Sequence, residues 1–162
     1  MSTAPLNDLG APALHGYLPL LELATREVFA IMLGAGLQPS ARLEQSETAE
    51  FTAMVGLAGQ MCGVINLRCN APAALAIASR MTGKAVSESD ASLWDALGEV
   101  CNMIAGNFKN KISGLADRCL LSVPTVIRGG DYRVRSLAGR NSTEVPLLFE
   151  GSPVWVCLEL QS

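Results

Sequence analysis

A chain of 162 residues that is 49% hydrophobic and only 17% charged has the size of one domain. Such a domain buries about two thirds of its unfolded surface, which excludes a disordered tail or a coiled coil and removes any need for disulfides or a structural metal. A net charge of −3 with 5% aromatic residues excludes a phosphate-tracking groove or a base-stacking platform, so nucleic acid is not an expected partner.

In chain order, residues 1–16 are rich in Ala, Pro and Gly and read as a loose N-terminal segment, leaving 17–162 as a single domain. A first helix is predicted over Leu18–Leu33, with Leu20, Leu21, Ala24, Val28, Ile31 and Met32 on its apolar face. Gly34 and Gly36 end it, and Pro39 prevents resumption. Ala49–Ala58 and Met61–Cys69 read as a hairpin turning at Gly59-Gln60, in which Gly56 and Gly63 mark close backbone approach. Asn70 is placed to cap a short helix that Pro72 opens and Gly83 closes after Thr82. The longest helix is predicted over Ser87–Gly114, started by Ser89-Asp90. Leu120–Ile127 reads as a strand interrupted by Pro124, followed by a turn at Gly129–Asp131. Val145–Phe149 and Val154–Leu160 form a second hairpin around Glu150–Pro153. Strands arriving as hairpins predict an α+β fold of two layers, a mostly antiparallel sheet with helices packed on it, one of them long.

The cysteines Cys62, Cys69, Cys101, Cys119 and Cys157 have apolar flanks and no CxxC spacing, as suits buried thiols in a reducing compartment. A single histidine, His15, leaves no zinc site and no Ser–His or Cys–His pair of note. No Lys or Arg precedes Arg26, and the apolar stretch Tyr17–Leu37 is broken by Glu22, Arg26 and Glu27. Neither an export signal nor a membrane span is expected, and the location expected is cytoplasmic. Residues 1–100 are net acidic and 101–162 net basic, the basic excess being scattered over Arg118, Arg128, Arg133, Arg135 and Arg140 as on a solvated surface.

The chemistry-bearing stretch is Trp94–Lys109. On a wheel of about 100° per residue with Asp95 at zero, Glu99 falls near +40°, Asn102 near −20°, Gly106 near +20° and Lys109 near −40°. Leu97, Val100, Ile104 and Phe108 lie opposite, at about 140–220°. Paired carboxylates at Asp95 and Glu99 suit acid–base work or a metal, but no third ligand follows at helical spacing. Asn102 carries a donor and an acceptor; it is neither nucleophile nor base, but it can aim a water. Gly106 lets a foreign backbone come close, and Glu99 can pair with a partner's lysine. The same spacing also describes the plain solvated face of an amphipathic helix, although an exposed glycine there costs about 1 kcal/mol relative to Ala.

Asp95-x3-Glu99-x2-Asn102, with Pro124 twenty-two positions on, resembles the D/S-x3-E-x2-N…P signature of the CheC/CheX/FliY phosphatases of bacterial chemotaxis. The runs Gly98–Asn107 and Leu121–Gly129 are similar to the CheX form, and one copy of the motif is present, since Leu18-x3-Glu22-x2-Thr25 lacks the asparagine. The resemblance implies a hydrolase acting on the aspartyl phosphate of a CheY-like response regulator. Asn102 would orient the attacking water and Glu99 would pair with the regulator's lysine. Asp95, Gly106, Lys109 and Pro124 would belong to the partner-binding surface, Pro124 chiefly by shaping it. It further implies no cofactor of the chain's own, Mg²⁺ being supplied by the phosphorylated receiver, and a homodimer formed through the sheets. Phe108 is bulkier than the small residue of the family pattern and predicts altered packing on the buried stripe. The alternative is a non-catalytic module that binds a response regulator or the flagellar switch.

Overall fold

The computed structural model describes residues 11–40, 49–129 and 141–161. The first ten residues of the expected loose segment, the turn expected at Gly129–Asp131 beyond Gly129, and Arg133, Arg135 and Arg140 lie outside the described residues.

Helix α1 spans Ala11–Val28 and runs into a π-helical turn, Phe29–Leu33. It begins ahead of Leu18, so residues 11–16 are helical where a loose segment was expected. Ala and Leu favour the helix, and Pro12 falls in the first turn, where a missing N–H removes no helical bond. Gly34 ends the turn in the left-handed region at φ 63°. The π turn also corrects the predicted apolar face. It inserts one residue into the helical repeat, so Phe29 and Leu33 are buried while Ile31 is 76% and Met32 38% exposed.

Among the described residues, seven antiparallel strands follow the order β1-β6-β7-β3-β2-β4, with β5 also on β2. They are β1 (Gln38–Pro39), β2 (Phe51–Gly59), β3 (Gly63–Cys69), β4 (Cys119–Leu121), β5 (Thr125–Arg128), β6 (Asn141–Phe149) and β7 (Ser152–Leu160). Both predicted hairpins form. The first turns through Gln60–Cys62, one residue longer than expected, with Gly59 at φ 126°. The second turns on Glu150 and Gly151 alone, at φ 50° and 81°, the left-handed pair that a two-residue hairpin loop needs. A Cβ at Gly63 would run into the Glu159 carbonyl of β7, the close approach its glycine predicted.

Helix α2 is Ala71–Thr82. Asn70 Oδ1 accepts from the Ala73 N–H at 2.9 Å, and the N–H of Gly83, at φ 71°, donates to Ser79 O, as their residue types led one to expect. Helix α3 is Ala91–Asn110, shorter at both ends than predicted. Asp90 Oδ2 accepts from the Ser87 N–H at 2.8 Å and closes a turn, so the helix starts after it. At the far end Lys111 N donates to Phe108 O at 3.1 Å and the chain leaves through tight turns.

Alternate residues of the central strands, including Val55, Ile65 and Leu158 in one cross-strand row, join the helices in a single core. Phe29 and Phe149 meet edge-on at 5.1 Å within it. Leu97, Val100, Ile104 and Phe108 of α3 are all in that core, as their spacing predicted. Among the described residues no helix is long and apolar enough to cross a membrane.

Candidate functional site

α3 is held down by its apolar stripe, which fixes what its opposite face presents. Asp95 and Glu99 are exposed, and Asn102, Gly106 and Lys109 are half-buried. Among the described residues the Asn102 carboxamide has no hydrogen-bond partner, and neither Asp95 nor Glu99 has an ion pair. One residue away, on the buried side, Cys101 reaches the carbonyls of Ala53 at 3.5 Å and Ile65 at 3.7 Å. Burial pushes its thiol up to about 12, so it acts as packing and not as a nucleophile at neutral pH.

Two glycines frame Asn102, one turn before and one turn after it. A Cβ on Gly98 would stand 3.3 Å from Pro124 Cβ and 3.6 Å from Val126 Cγ2; a Cβ on Gly106 would stand 3.9 Å from Leu121 Cδ1. The edge of the sheet therefore runs alongside the helix where the helix has no side chains, and it walls one side of the strip.

That edge is bent. β4 pairs Leu57 with Leu121, and β5 pairs Met54 with Thr125, so Ser122, Val123 and Pro124 face only Val55 and Gly56. This is a β-bulge with one extra residue. It is stitched by Ser122 N donating to Gly56 O at 2.9 Å and Gly56 N donating to Ser122 Oγ at 2.7 Å. Gly56 has no side chain because a Cβ would meet Ser122 Oγ at 3.2 Å. Pro124, lacking an N–H, fits the unpaired part of the bulge.

Lys109 faces inward along the chain: its Nζ donates to Ala116 O at 3.0 Å and Cys119 O at 2.8 Å, tying the helix end to the start of β4. On the other flank Glu27 of α1 accepts from Lys111 Nζ at 2.7 Å and Asn107 Nδ2 at 3.0 Å. Those bonds, Lys111 first, hold the Glu27 carboxyl below its usual range. Among the described residues no three His, Cys, Asp or Glu side chains gather as a metal would need.

The structure thus brings Asp95, Glu99, Asn102, Gly106 and Pro124 to one face and places the Lys109 ammonium in the brace beneath it. Sequence reasoning did not single out Gly98 as a site residue, or Ser122 at all. The available signal was the two-turn spacing of Gly98 and Gly106, and a hydroxyl two residues before a strand-breaking proline.

The molecule is a layered α+β protein in which, among the described residues, the longest helix presents the side chains of Asp95, Glu99 and Asn102 without hydrogen-bond or ion-pair partners. Residues 51–148, more than half of the chain, match the family described as chemotaxis phosphatase CheX, and the chain belongs to that family. Solved structures share the fold. The CheX chemotaxis protein from Vibrio vulnificus is 17% identical with a TM-score of 0.76, covering 89% of this chain and 95% of that one. CheX from Desulfovibrio desulfuricans is 22% identical with a TM-score of 0.76, covering 90% and 99%. The Borrelia burgdorferi CheX–CheY–BeF3–Mg²⁺ complex is matched at 23% identity with a TM-score of 0.75, covering 90% and 98%. Among curated proteins the chain finds no match.

Proposed function

We propose that this chain accelerates hydrolysis of the aspartyl phosphate of a CheY-like response regulator, with Asn102 orienting the attacking water and Glu99 pairing with the regulator's active-site lysine. The observation that carries the reading is an Asn102 carboxamide and a Glu99 carboxylate on one face, both without side-chain partners among the described residues, beside the Pro124 wall, in a chain of the CheX family. A CheX of Borrelia burgdorferi forms a complex with CheY, BeF3 and Mg²⁺, which supports a receiver as the partner here and is consistent with Mg²⁺ arriving with that receiver.

In the proposed reaction a water held by the Asn102 amide attacks phosphorus in line with the phosphorus–oxygen bond to the aspartate. That bond breaks, the aspartate leaves as a carboxylate, and the water's proton passes to the released phosphate or to solvent. Such a transfer needs positioning and charge stabilisation more than covalent help. Mg²⁺ bound by the receiver offsets charge on the phosphoryl oxygens. Glu99 takes up the receiver's lysine and fixes the docking register. Gly106 allows the receiver's backbone to approach, Asp95 extends the contact, Pro124 shapes its wall, and Lys109 serves the surface by bracing the helix end beneath it.

The test follows loss of phosphate from phosphorylated receivers with Mg²⁺, with and without the chain. Faster loss with at least one receiver is expected; rates no faster than each receiver alone defeat the proposal. Tight binding with an unchanged phosphate lifetime would instead assign a non-catalytic receiver-binding module. The chain is further proposed to be a homodimer, for which light scattering should report twice the 17.1 kDa of one chain.

A further inference from the structure

Beside the α3 strip lies a second, different surface. The π turn exposes Ile31 and Met32, and with Val28, Met103, Asn107 and Asn110 they line an open groove of about 310 Å³ between the end of α1 and α3. Its floor is aliphatic and thioether, and its α3 rim carries two amides. The groove is preformed: Asn107 on its rim donates to the Glu27 carboxylate, which also pairs with Lys111, and these bonds tie α1 to α3. On the helical wheel Met103 and Asn110 fall about 80° and 60° from Asp95, directly beyond Glu99 at about 40° and Gly106 at about 20°. Groove and strip are therefore one continuous surface.

The strip alone is a poor binding site. It offers two carboxylates, an amide and a glycine, whereas specific protein contacts cover about 800 Å² per partner and draw their affinity from a few apolar anchors. Methionines suit such an anchor pocket because their side chains adapt to the shape received. The arrangement also bears on the occupant. A second copy of this chain seated in the groove would overlie the adjoining Glu99 and Asn102 and close the strip, whereas a receiver engaged by the strip would reach the adjoining groove with the same surface.

We infer that the Ile31–Met32–Met103 groove is the anchoring site for the phosphorylated receiver, taking an apolar side chain from the receiver's surface near its phosphorylated aspartate. This inference rests on the phosphatase reading of the strip. It assigns different tasks to adjoining surfaces: the groove sets KM, and Asn102 sets kcat.

The experiment measures steady-state dephosphorylation of the receiver that the wild-type chain turns over fastest, and the Kd for its beryllofluoride-loaded form. The variants are Ile31→Glu, Leu23→Glu and Asn102→Ala. Leu23 is 47% exposed on α1 and outside the groove, so its variant controls for added charge. Ile31→Glu should raise KM and Kd about tenfold or more with kcat within about twofold, while Leu23→Glu changes neither. Unchanged KM and Kd in Ile31→Glu overturn the groove, and if Asn102→Ala still lowers kcat the phosphatase reading survives that failure. If the wild type turns over no receiver, that reading falls, and the Kd of a beryllofluoride-loaded receiver alone decides: a shift in Ile31→Glu supports the groove, and no shift or no binding overturns it. A change of oligomeric state in Ile31→Glu with Kd unaltered assigns the groove to a second copy and overturns the inference.

Discussion

Pro124 rests where Gly98 leaves a gap in α3: a Cβ there would come within 3.3 Å of the proline Cβ. The contact joins the stitched bulge to the helix one turn before Asn102. Gly98→Ala gains about 1 kcal/mol of helix propensity and loses part of it to crowding. Thermal stability should therefore stay within about 1 kcal/mol of wild type. Dephosphorylation should nevertheless fall about five- to tenfold, because the wall and the amide shift by tenths of an ångström. A rate equal to wild type would separate the wall from the chemistry.

Asn102→Ala removes a side chain with no partner among the described residues, so folding should be unaffected. The loss should appear in kcat, at about 2–4 kcal/mol of transition-state stabilisation, the size of a lost positioning or charge-stabilising group. Rapid-quench or fluorescence measurement of receiver phosphate at saturating enzyme checks it.

In the proposed docking, Glu99→Lys would set like charge against the receiver's lysine. The expected loss is about 2–5 kcal/mol in kcat/KM, with circular dichroism unchanged because Glu99 is exposed. A charge-swapped receiver should recover part of it, and failure of every receiver charge variant to do so would count against the pairing.

Phe108 is fully buried and meets Tyr17 edge-on with centroids 6.0 Å apart. The bulk expected to alter packing joins α3 to α1. Phe108→Ala should cost about 3–5 kcal/mol of stability, read as a lowered urea midpoint.

The Glu27 bonds carry a pH signature. The carboxyl is held below its ordinary value of 4.5, by Lys111 first and then Asn107. A depressed acid stabilises the fold above its unfolded pKa and loses that contribution as pH falls through the folded value. Glu27→Gln should therefore melt lower than wild type at pH 7, and the two should converge as pH falls through the lowered folded value.

Much of this was legible because it is local chemistry. Asn70, Gly83, Gly63 and the α3 stripe each do what their residue type and spacing predict, while Gly56 makes room for the Ser122 side chain where close backbone approach was expected. What escaped depends on partners distant in sequence or on a change of helical repeat. Nothing in residues 29–33 announces a π turn, so Ile31 and Met32 were placed on the buried face. Strand β1 is a pair of residues defined only by its neighbour β6. The one-residue offset between β4 and β5 appears only once both are laid on β2. Lys109 looked like a cation at a helix end; that it grips two carbonyls beyond the helix follows from the path of residues 111–119. In the candidate strip, sequence spacing supplied the face, and the Gly98–Pro124 contact that frames it came only from the fold.

The grip of Lys109 on Ala116 and Cys119 has a dynamic consequence. With Pro124 seated at Gly98, it fastens α3 to the sheet border at two points on either side of Asn102, so helix and strand should open as one cooperative unit. Amide exchange in the last turn of the helix and in β4 should share one opening free energy, and fraying at this border of the sheet would disarm the carboxamide before the core loosens.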